Sequence, residues 1–369
     1  MSELCGFDRS ASMDDLLISI QDRDPGIPLA ATAEVTYRCN FGCPHCFCRL
    51  PEGGPTPMPE LTLQQWDRIL GEAADEGVLF LTITGGEPLV REDFPDLWRM
   101  AKRRGFIVEL FTNASLIDAA TADLLAEYTA KQVSVTVYAA TEETYRLMTG
   151  RPGTYAQVLG ALELMVERGI HAELKGLLTR LNAHEFEAIR AQALRHDDVM
   201  RWQGDLVRCY THGGGDPGAV ALSPHEFVAL ELADPVRSGE WRERLANWTP
   251  APGSKHSPFR CALGKGRFHL DPYGRMHPCM LLESVSVDCR TMSVHRAWRE
   301  ELPKALAAMP WEPSACNVCE VAELCHGCPA KFLLAGLPAG GPDHALCELA
   351  RVRARAYGIL ALPASEGRV

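Results

Sequence analysis

No stretch of this sequence reaches about 18 consecutive apolar residues, the length a membrane-crossing helix needs, and that excludes a helical span from the reading. The opening segment MSELCGFDRSASMDDLLISI has neither the basic start nor the long apolar run of a secretory signal. Positive charge is also scarce: 37 Lys and Arg stand against 48 Asp and Glu, a formal net charge of -11. A general electrostatic grip on a phosphate backbone needs the opposite balance, and no basic run or aromatic-basic stripe supplies it locally. With 46% hydrophobic and 23% charged residues, the composition is neither that of a disordered chain nor that of a fibrous one. The expectation is a cytoplasmic globular protein with no nucleic-acid or membrane partner. At 369 residues the chain exceeds the roughly 250 to 300 over which one core grows, so two units, or a barrel with an extension, are expected.

Cysteine is what the sequence has in quantity, 14 residues in all. In a secreted chain they would suggest disulfides; in a cytoplasmic one, clustered cysteines point to metal or redox chemistry. Cys39, Cys43 and Cys46 form one group, and Cys261, Cys279, Cys316, Cys319, Cys325, Cys328 and Cys347 a second, with Cys5, Cys48, Cys209 and Cys289 left over. Three closely spaced thiols are one short of a closed four-coordinate site.

Between the groups, short apolar runs alternate with helical patterns. AATAEVTY before Cys39, VLFLTIT (78–84), IVELFT (107–112), QVSVTVY (132–138), AELKGLL (172–178) and VMRWQGDLV (199–207) read as strands. Leu63, Trp66, Ile69, Leu70 and Ala73 recur at helical spacing with Gly77 as a stop, and the design repeats before Gly105 and Gly169. Six βα units predict a parallel sheet with right-handed crossovers that curls into a full or partial barrel. Chemistry in such folds gathers at the C-terminal ends of the strands. The first strand delivers Cys39 there, and the second delivers Thr84-Gly85-Gly86-Glu87-Pro88.

Cys39-x3-Cys43-x2-Cys46 after strand one, with Gly85-Gly86-Glu87-Pro88 after strand two, resembles the radical S-adenosylmethionine (SAM) superfamily. The resemblance implies a [4Fe-4S] cluster held by the three thiolates, its fourth iron left to the amino and carboxylate groups of SAM, as catalytic metal sites leave a place for the reacting molecule. It implies electron transfer into the sulfonium and release of a 5'-deoxyadenosyl radical. Gly85 and Gly86 would let backbone approach SAM closely, and they equally suit an ordinary βα turn; Glu87 and Pro88 complete that loop. Thr112 and Asn113 resemble positions near the ribose, though Asn after a strand is also a turn residue. Lys175, in an otherwise apolar strand, either points inward as a partner for the SAM carboxylate or a substrate acid, or points to solvent. His45 fits the place of an aromatic residue that packs near adenine, and Tyr138 is a strand end that suits the core equally.

The second group resembles the SPASM domain, which carries two auxiliary iron-sulfur clusters: Cys261-x12-Gly274-x4-Cys279, then Cys316-x2-Cys319-x5-Cys325-x2-Cys328, then Cys347. The last central gap is two residues here where the family usually has three. Zinc ribbons separate their CxxC pairs by about 15 to 20 residues, and here only five stand between; the dense run ending Cys328-Pro329 is more like ferredoxin ligation. The resemblance implies Cys316, Cys319, Cys325 and Cys347 for an outer cluster and Cys261, Cys279 and Cys328 for an inner one. The fourth place of the inner cluster is left open, or filled by Cys209, Cys289, His256 or substrate.

The fold expected is therefore α/β: a partial (β/α)6, TIM-like barrel with a C-terminal cysteine-rich SPASM extension. Its segments are 1–30, an N-terminal stretch; 31–215, the radical SAM core; 216–255, a connecting segment introduced by an exposed Gly- and Pro-rich loop; 256–350, the auxiliary domain; and 351–369, a tail. The cofactors implied are SAM and three [4Fe-4S] clusters. The activity implied is oxidative modification of a side chain in a ribosomally made peptide or protein (crosslink, thioether or oxidation). The alternative is oxidation of a small molecule such as a tetrapyrrole side chain or sugar alcohol. An electron donor such as flavodoxin or ferredoxin is implied, and a separate peptide-recognition protein, because only about 30 residues precede the first strand where many relatives carry a winged-helix domain. Met280 stands where sulfatase-maturing relatives have an acidic residue after the second SPASM cysteine.

Overall fold

The computed structural model describes residues 24, 26–46, 50, 58–196, 201–203, 216–246, 263–309, 315–325 and 327–360, with the side chains of 201–203, 317, 318 and 323 excepted. Its strands are β1 (Ala30–Glu34), β2 (Phe80–Thr84), β3 (Ile107–Thr112), β4 (Gln132–Val137), β5 (Ala172–Leu177) and β6 (Arg201–Gln203), then β7 (Arg267–Leu270), β8 (Arg275–His277) and β9 (Val287–Asp288). One sheet contains all nine, in the order β6-β5-β4-β3-β2-β1-β7-β8-β9. β1 to β6 run parallel, β7 joins β1 in parallel, and β8 and β9 follow antiparallel. All six predicted strands are present, as the parallel αβ portion expected of a partial barrel.

Helices α1 (Leu63–Asp75), α2 (Phe94–Arg103), α3 (Ala119–Glu127), α4 (Glu142–Thr149), α5 (Thr154–Glu167) and α6 (Phe186–Ala193) fill the crossovers. α1 starts where Thr62 and Gln65 form a reciprocal capping box, which satisfies two orphan N–H groups. Its buried residues include Trp66, Ile69, Leu70 and Ala73, the face read from the sequence. They meet one face of the sheet, Ala31 and Ala33 of β1, Leu81 and Ile83 of β2, and Val108 and Leu110 of β3, in a single core. Each fully buried side chain of this size contributes about 1.5 to 3 kcal/mol.

Because successive strand residues face opposite ways, the other face carries Thr32 and Glu34, Thr82 and Thr84, Glu109 and Phe111, Ser134 and Thr136, Glu173 and Lys175, aligned by register. A sheet face so polar is not a packing surface. It is the inner wall of the barrel, and its upper rim is the C-terminal end of the strands.

After β6 the chain forms α7 (Pro224–Ala233) and α8 (Pro235–Ala246), and closes with α9 (His344–Ala356). Ser223 and Glu226 cap α7 with a second reciprocal box. The loop before it is less open than expected: Ala221 and Leu222 are buried, because the Arg180 backbone N–H reaches the Val220 carbonyl and holds the segment on the barrel. α7 and α9 are joined by Arg353 and Glu231, both 0% exposed and paired through two contacts of 2.8 and 3.1 Å. Trp241 of α8 donates to the same carboxylate at 3.2 Å. A small second core of Trp241, Val321, Leu324, Ala350 and Ala354 forms around them. No described helix is long and apolar enough to cross a membrane.

Candidate functional site

The loop from Val35 to Cys46 leaves the end of β1 alongside the loop that leaves β2. The Gly86 N–H donates to the Thr36 carbonyl at 2.8 Å and the Glu87 N–H to the Arg38 carbonyl at 2.9 Å, so the ladder between the strands continues past their ends. A Cβ on Gly85 would stand 2.1 Å from the Thr36 oxygen, and Gly85 has φ +137. A Cβ on Gly86 would stand 2.4 Å from the Arg38 oxygen. These two glycines are thus required by the approach of one loop's backbone to the other's, one residue short of Cys39.

Glu87 is fully buried and ties three elements together. Its carboxylate accepts from the Thr112 hydroxyl at 2.8 Å, the Asn113 N–H at 2.7 Å and the Leu89 N–H at 3.0 Å. Burial pushes its acid up to about 7, against those three hydrogen bonds, which act to lower it. Pro88 opens the single helical turn that Glu87 caps. Thr112 is therefore committed to Glu87. Asn113 is committed to a closed ring: its Nδ2 donates to Asn40 Oδ1 at 2.9 Å, Asn40 Nδ2 to Ser115 Oγ at 2.9 Å, and Ser115 Oγ back to Asn113 Oδ1 at 2.7 Å. The ring fastens the end of β3 to the residue after Cys39.

Other groups hold the cysteine loop, and no spacing in the sequence signals them. Arg151 donates to the Asn40 carbonyl at 3.1 Å, and the Gly42 N–H donates to the Thr149 carbonyl at 2.6 Å. Glu60 accepts from the Thr36 hydroxyl at 2.7 Å and the Tyr37 N–H at 3.1 Å, while the buried Arg91 donates to the Val35 carbonyl at 2.9 Å. All of these bonds join residues far apart in the chain.

Cys43 is buried, and Cys39 and Cys46 are half-buried. All three thiols act electrostatically on the hydroxyl of buried Tyr138, which burial first and then Cys43, Tyr145, Cys46 and Cys39 hold well above its ordinary value. His45 packs against the same ring at 5.3 Å between centroids. Burial pushes its imidazole down to about 4, so it is neutral, and its Nδ1 has no hydrogen-bond partner. Lys175 faces the inner wall, where its ammonium pairs with Glu173 at 3.0 Å and lies 4.0 Å from the Phe111 ring centre. At 31% side-chain exposure it is neither buried alone nor fully in solvent.

In the C-terminal region the cysteines divide in two. Burial raises the Cys347 thiol, and Cys325, Cys316 and Cys319 are the thiols that add to it, so these four are neighbours. Cys319 and Cys325 pack on the small second core, whereas Cys279 and Cys328 pack on the barrel core. Cys289 is fully buried in the barrel core, its thiol pushed up to about 12 by burial and then by Asp288 and Glu72, with no other cysteine acting on it. That environment is that of an inert core thiol. Cys48, Cys209, His256 and Cys261 lie outside the described residues. Among the described residues no three His, Cys, Asp or Glu side chains converge on a single metal ion; thiolates around a four-iron cube stand farther apart than around one ion.

The model of the radical SAM superfamily matches residues 33–192. Over longer spans the chain is similar to the PqqA peptide cyclase of Rhizobium meliloti, 25% identical over 79% of this chain and 80% of the relative. It is also similar to the mycofactocin maturase MftC of Mycolicibacterium smegmatis, 28% identical over 89% and 84%. Its fold resembles Streptococcus suis SuiB bound to precursor peptide SuiA, with TM-score 0.67 at 15% identity over 89% of this chain and 78% of that one. It also resembles anSMEcpe with bound AdoMet, with TM-score 0.64 at 16% identity over 89% and 96%. The thiols grouped at the end of β1 and the glycine loop laid against them both fall within residues 33–192, the span that matches the radical SAM superfamily.

Proposed function

We propose that the chain is a radical SAM enzyme with two auxiliary clusters that oxidatively modifies a side chain of a ribosomally made peptide. The observation that carries the reading is that Cys39, Cys43 and Cys46, all acting on the buried Tyr138 hydroxyl, share the loop that the Gly85-Gly86 backbone is laid against, within the residues that match this superfamily. These thiols hold the SAM-binding cluster, and when bound, that cluster with SAM supplies the 5'-deoxyadenosyl radical. The backbone of 85–88 receives the amino group of SAM. Thr112, Asn113 and Glu87 act behind that loop and fix its height against β3, and His45 with Tyr138 closes the apolar side.

Cys316, Cys319, Cys325 and Cys347 hold the outer auxiliary cluster; their grouping around Cys347 supports this set. Cys279 and Cys328, with Cys261, hold the inner one. The division falls along the segments 31–215 and 256–350, with α7 and α8 between them. One relative named above is by its name a peptide cyclase, and SuiB, which the fold resembles, was solved with a precursor peptide; both favour a peptide substrate on the inner wall, and an electron donor such as flavodoxin or ferredoxin and a separate recognition protein complete the reaction.

The test is to seek a short precursor reading frame beside the gene, incubate its peptide with the reconstituted protein, SAM and dithionite, and weigh the product. A peptide lighter by two hydrogens per event is expected. A peptide carrying an adenosyl or methyl group from SAM would contradict the oxidative reading.

A further inference from the structure

We infer that His269, held by Glu34, is the base that takes the substrate proton during the oxidation. His269 lies on β7, in register with Thr32 of β1, and so on the polar inner face. It is 4% exposed. Its Nε2 is 2.8 Å from Glu34 Oε2. Glu34 also accepts from the Tyr37 hydroxyl, and a carboxylate that accepts twice is the acceptor for the imidazole as well, which places the ring proton on Nε2. Nδ1 then carries a lone pair, and it is buried with no hydrogen-bond partner. An unpaired acceptor in a buried site costs free energy unless something else meets it. The Tyr273 hydroxyl, on the turn between β7 and β8, is a second buried group with no partner. The remaining groups that face this point are His277 of β8, with ring centres 5.9 Å apart, and Asp271, paired with His277 at 3.3 Å.

The position suits the task. Glu34 is in register with Thr84, the residue before Gly85, so the pair stands at the level of the glycine loop. β7 continues through its turn into β8 and on to Cys279, so the pair also lies between the two proposed iron-sulfur regions. Loss of a hydrogen atom from a substrate C–H to the 5'-deoxyadenosyl radical leaves a carbon radical. Completing a two-electron oxidation requires that radical to give one electron to an iron-sulfur acceptor, and the neighbouring O–H, N–H or S–H to give its proton to a base. Nδ1 of His269 receives the proton as the new bond forms on the substrate, and the Glu34 carboxylate behind Nε2 balances the charge the ring gains. Among the described residues His269 is the histidine on the inner wall with a bare buried nitrogen.

This inference rests on the peptide reading above. The experiment compares wild type with His269→Gln, which keeps a donor toward Glu34 and removes the base, and with Glu34→Gln. Each is reconstituted and given SAM, dithionite and the same precursor peptide, deuterated at the modified carbon. In His269→Gln, product per 5'-deoxyadenosine released falls by about 100-fold, the lower end of general-base contributions. Deuterium still appears in the 5'-deoxyadenosine, and an organic radical accumulates in the electron paramagnetic resonance spectrum. A product ratio equal to wild type overturns the base and leaves the peptide reading standing. A wild-type chain that consumes SAM and changes no peptide overturns both. Independently of substrate, nitrogen-15 histidine spectra of the full chain should show His269 protonated on Nε2 alone, and a proton on Nδ1 overturns the assignment.

Discussion

Glu87→Gln separates the electrostatic from the hydrogen-bonding role of the residue at the centre of the loop cluster. Burial raises the Glu87 acid from an ordinary 4.5 to about 7. The native state therefore holds this proton more tightly than the unfolded chain does, and stability falls as pH rises through the interval between those values; the loss is complete above about 7. At about 1.4 kcal/mol per pH unit, the cost is about 3 kcal/mol, of which roughly 2 to 3 kcal/mol develops between pH 5 and pH 8. Glutamine carries no charge and escapes this cost. It keeps an oxygen for Thr112 and Leu89 but turns its amide toward the Asn113 N–H, leaving a buried donor unpaired at about 1 to 3 kcal/mol. The variant is thus less stable than wild type at pH 5 and about equal to it at pH 8. For a unit of this size the change in relative stability corresponds to about 5 to 10 °C between the two pH values. Anaerobic thermal denaturation of the reconstituted protein at both values measures it. A variant whose midpoint follows wild type in parallel across the interval would refute a titrating, buried Glu87.

Gly85→Ala should destroy the loop contact, because the added carbon meets the Thr36 oxygen at 2.1 Å and the backbone sits at φ +137; SAM binding by calorimetry should be lost while the C-terminal clusters keep their iron. Arg353→Met leaves the buried Glu231 carboxylate with Arg237, at 3.0 Å, to balance its charge, and should cost about 3 kcal/mol, the lower end for breaking a buried pair. Because Arg353 also donates to the Leu324 carbonyl, next to Cys325, iron loss should begin in the auxiliary set. Pairing that change with Glu231→Leu should restore part of the stability.

The barrel was legible in the sequence where local pattern decides structure. β3 has the predicted bounds, and α1 buries Trp66, Ile69, Leu70 and Ala73 of the residues whose spacing marked it, with Leu63 half-buried at its first turn. Gly77, Gly105 and Gly169 follow their helices with positive φ. The hairpin of β7 and β8 was not read, because four- and three-residue strands carry too little alternation to register, although Asp271-Pro272-Tyr273-Gly274 is a turn sequence. Its pairing with β1 joins segments more than 200 residues apart, and no local signal encodes that. The cysteine spacings announced the thiol groups, yet Asn40, Ser115, Arg151 and Arg91 were invisible because each acts on backbone or side chains distant in the chain. Lys175 illustrates the same limit: its partner Glu173 lies two residues away on the same strand face, but only the strand's inward polar alternation, shared with Glu109 and Ser134, reveals a wall rather than a single site.

The central claim is that three thiols at the end of β1 hold the group that cleaves SAM, and one measurement addresses it. Anaerobically reconstituted wild type, given dithionite and SAM, should release 5'-deoxyadenosine and methionine and contain about 12 irons per chain. The Cys39→Ala, Cys43→Ala, Cys46→Ala triple variant should release no 5'-deoxyadenosine while keeping about two thirds of that iron, since the other proposed ligands, Cys261 to Cys347, belong to other segments of the chain. Release of 5'-deoxyadenosine by the triple variant, or none by the wild type with its iron in place, would contradict the account.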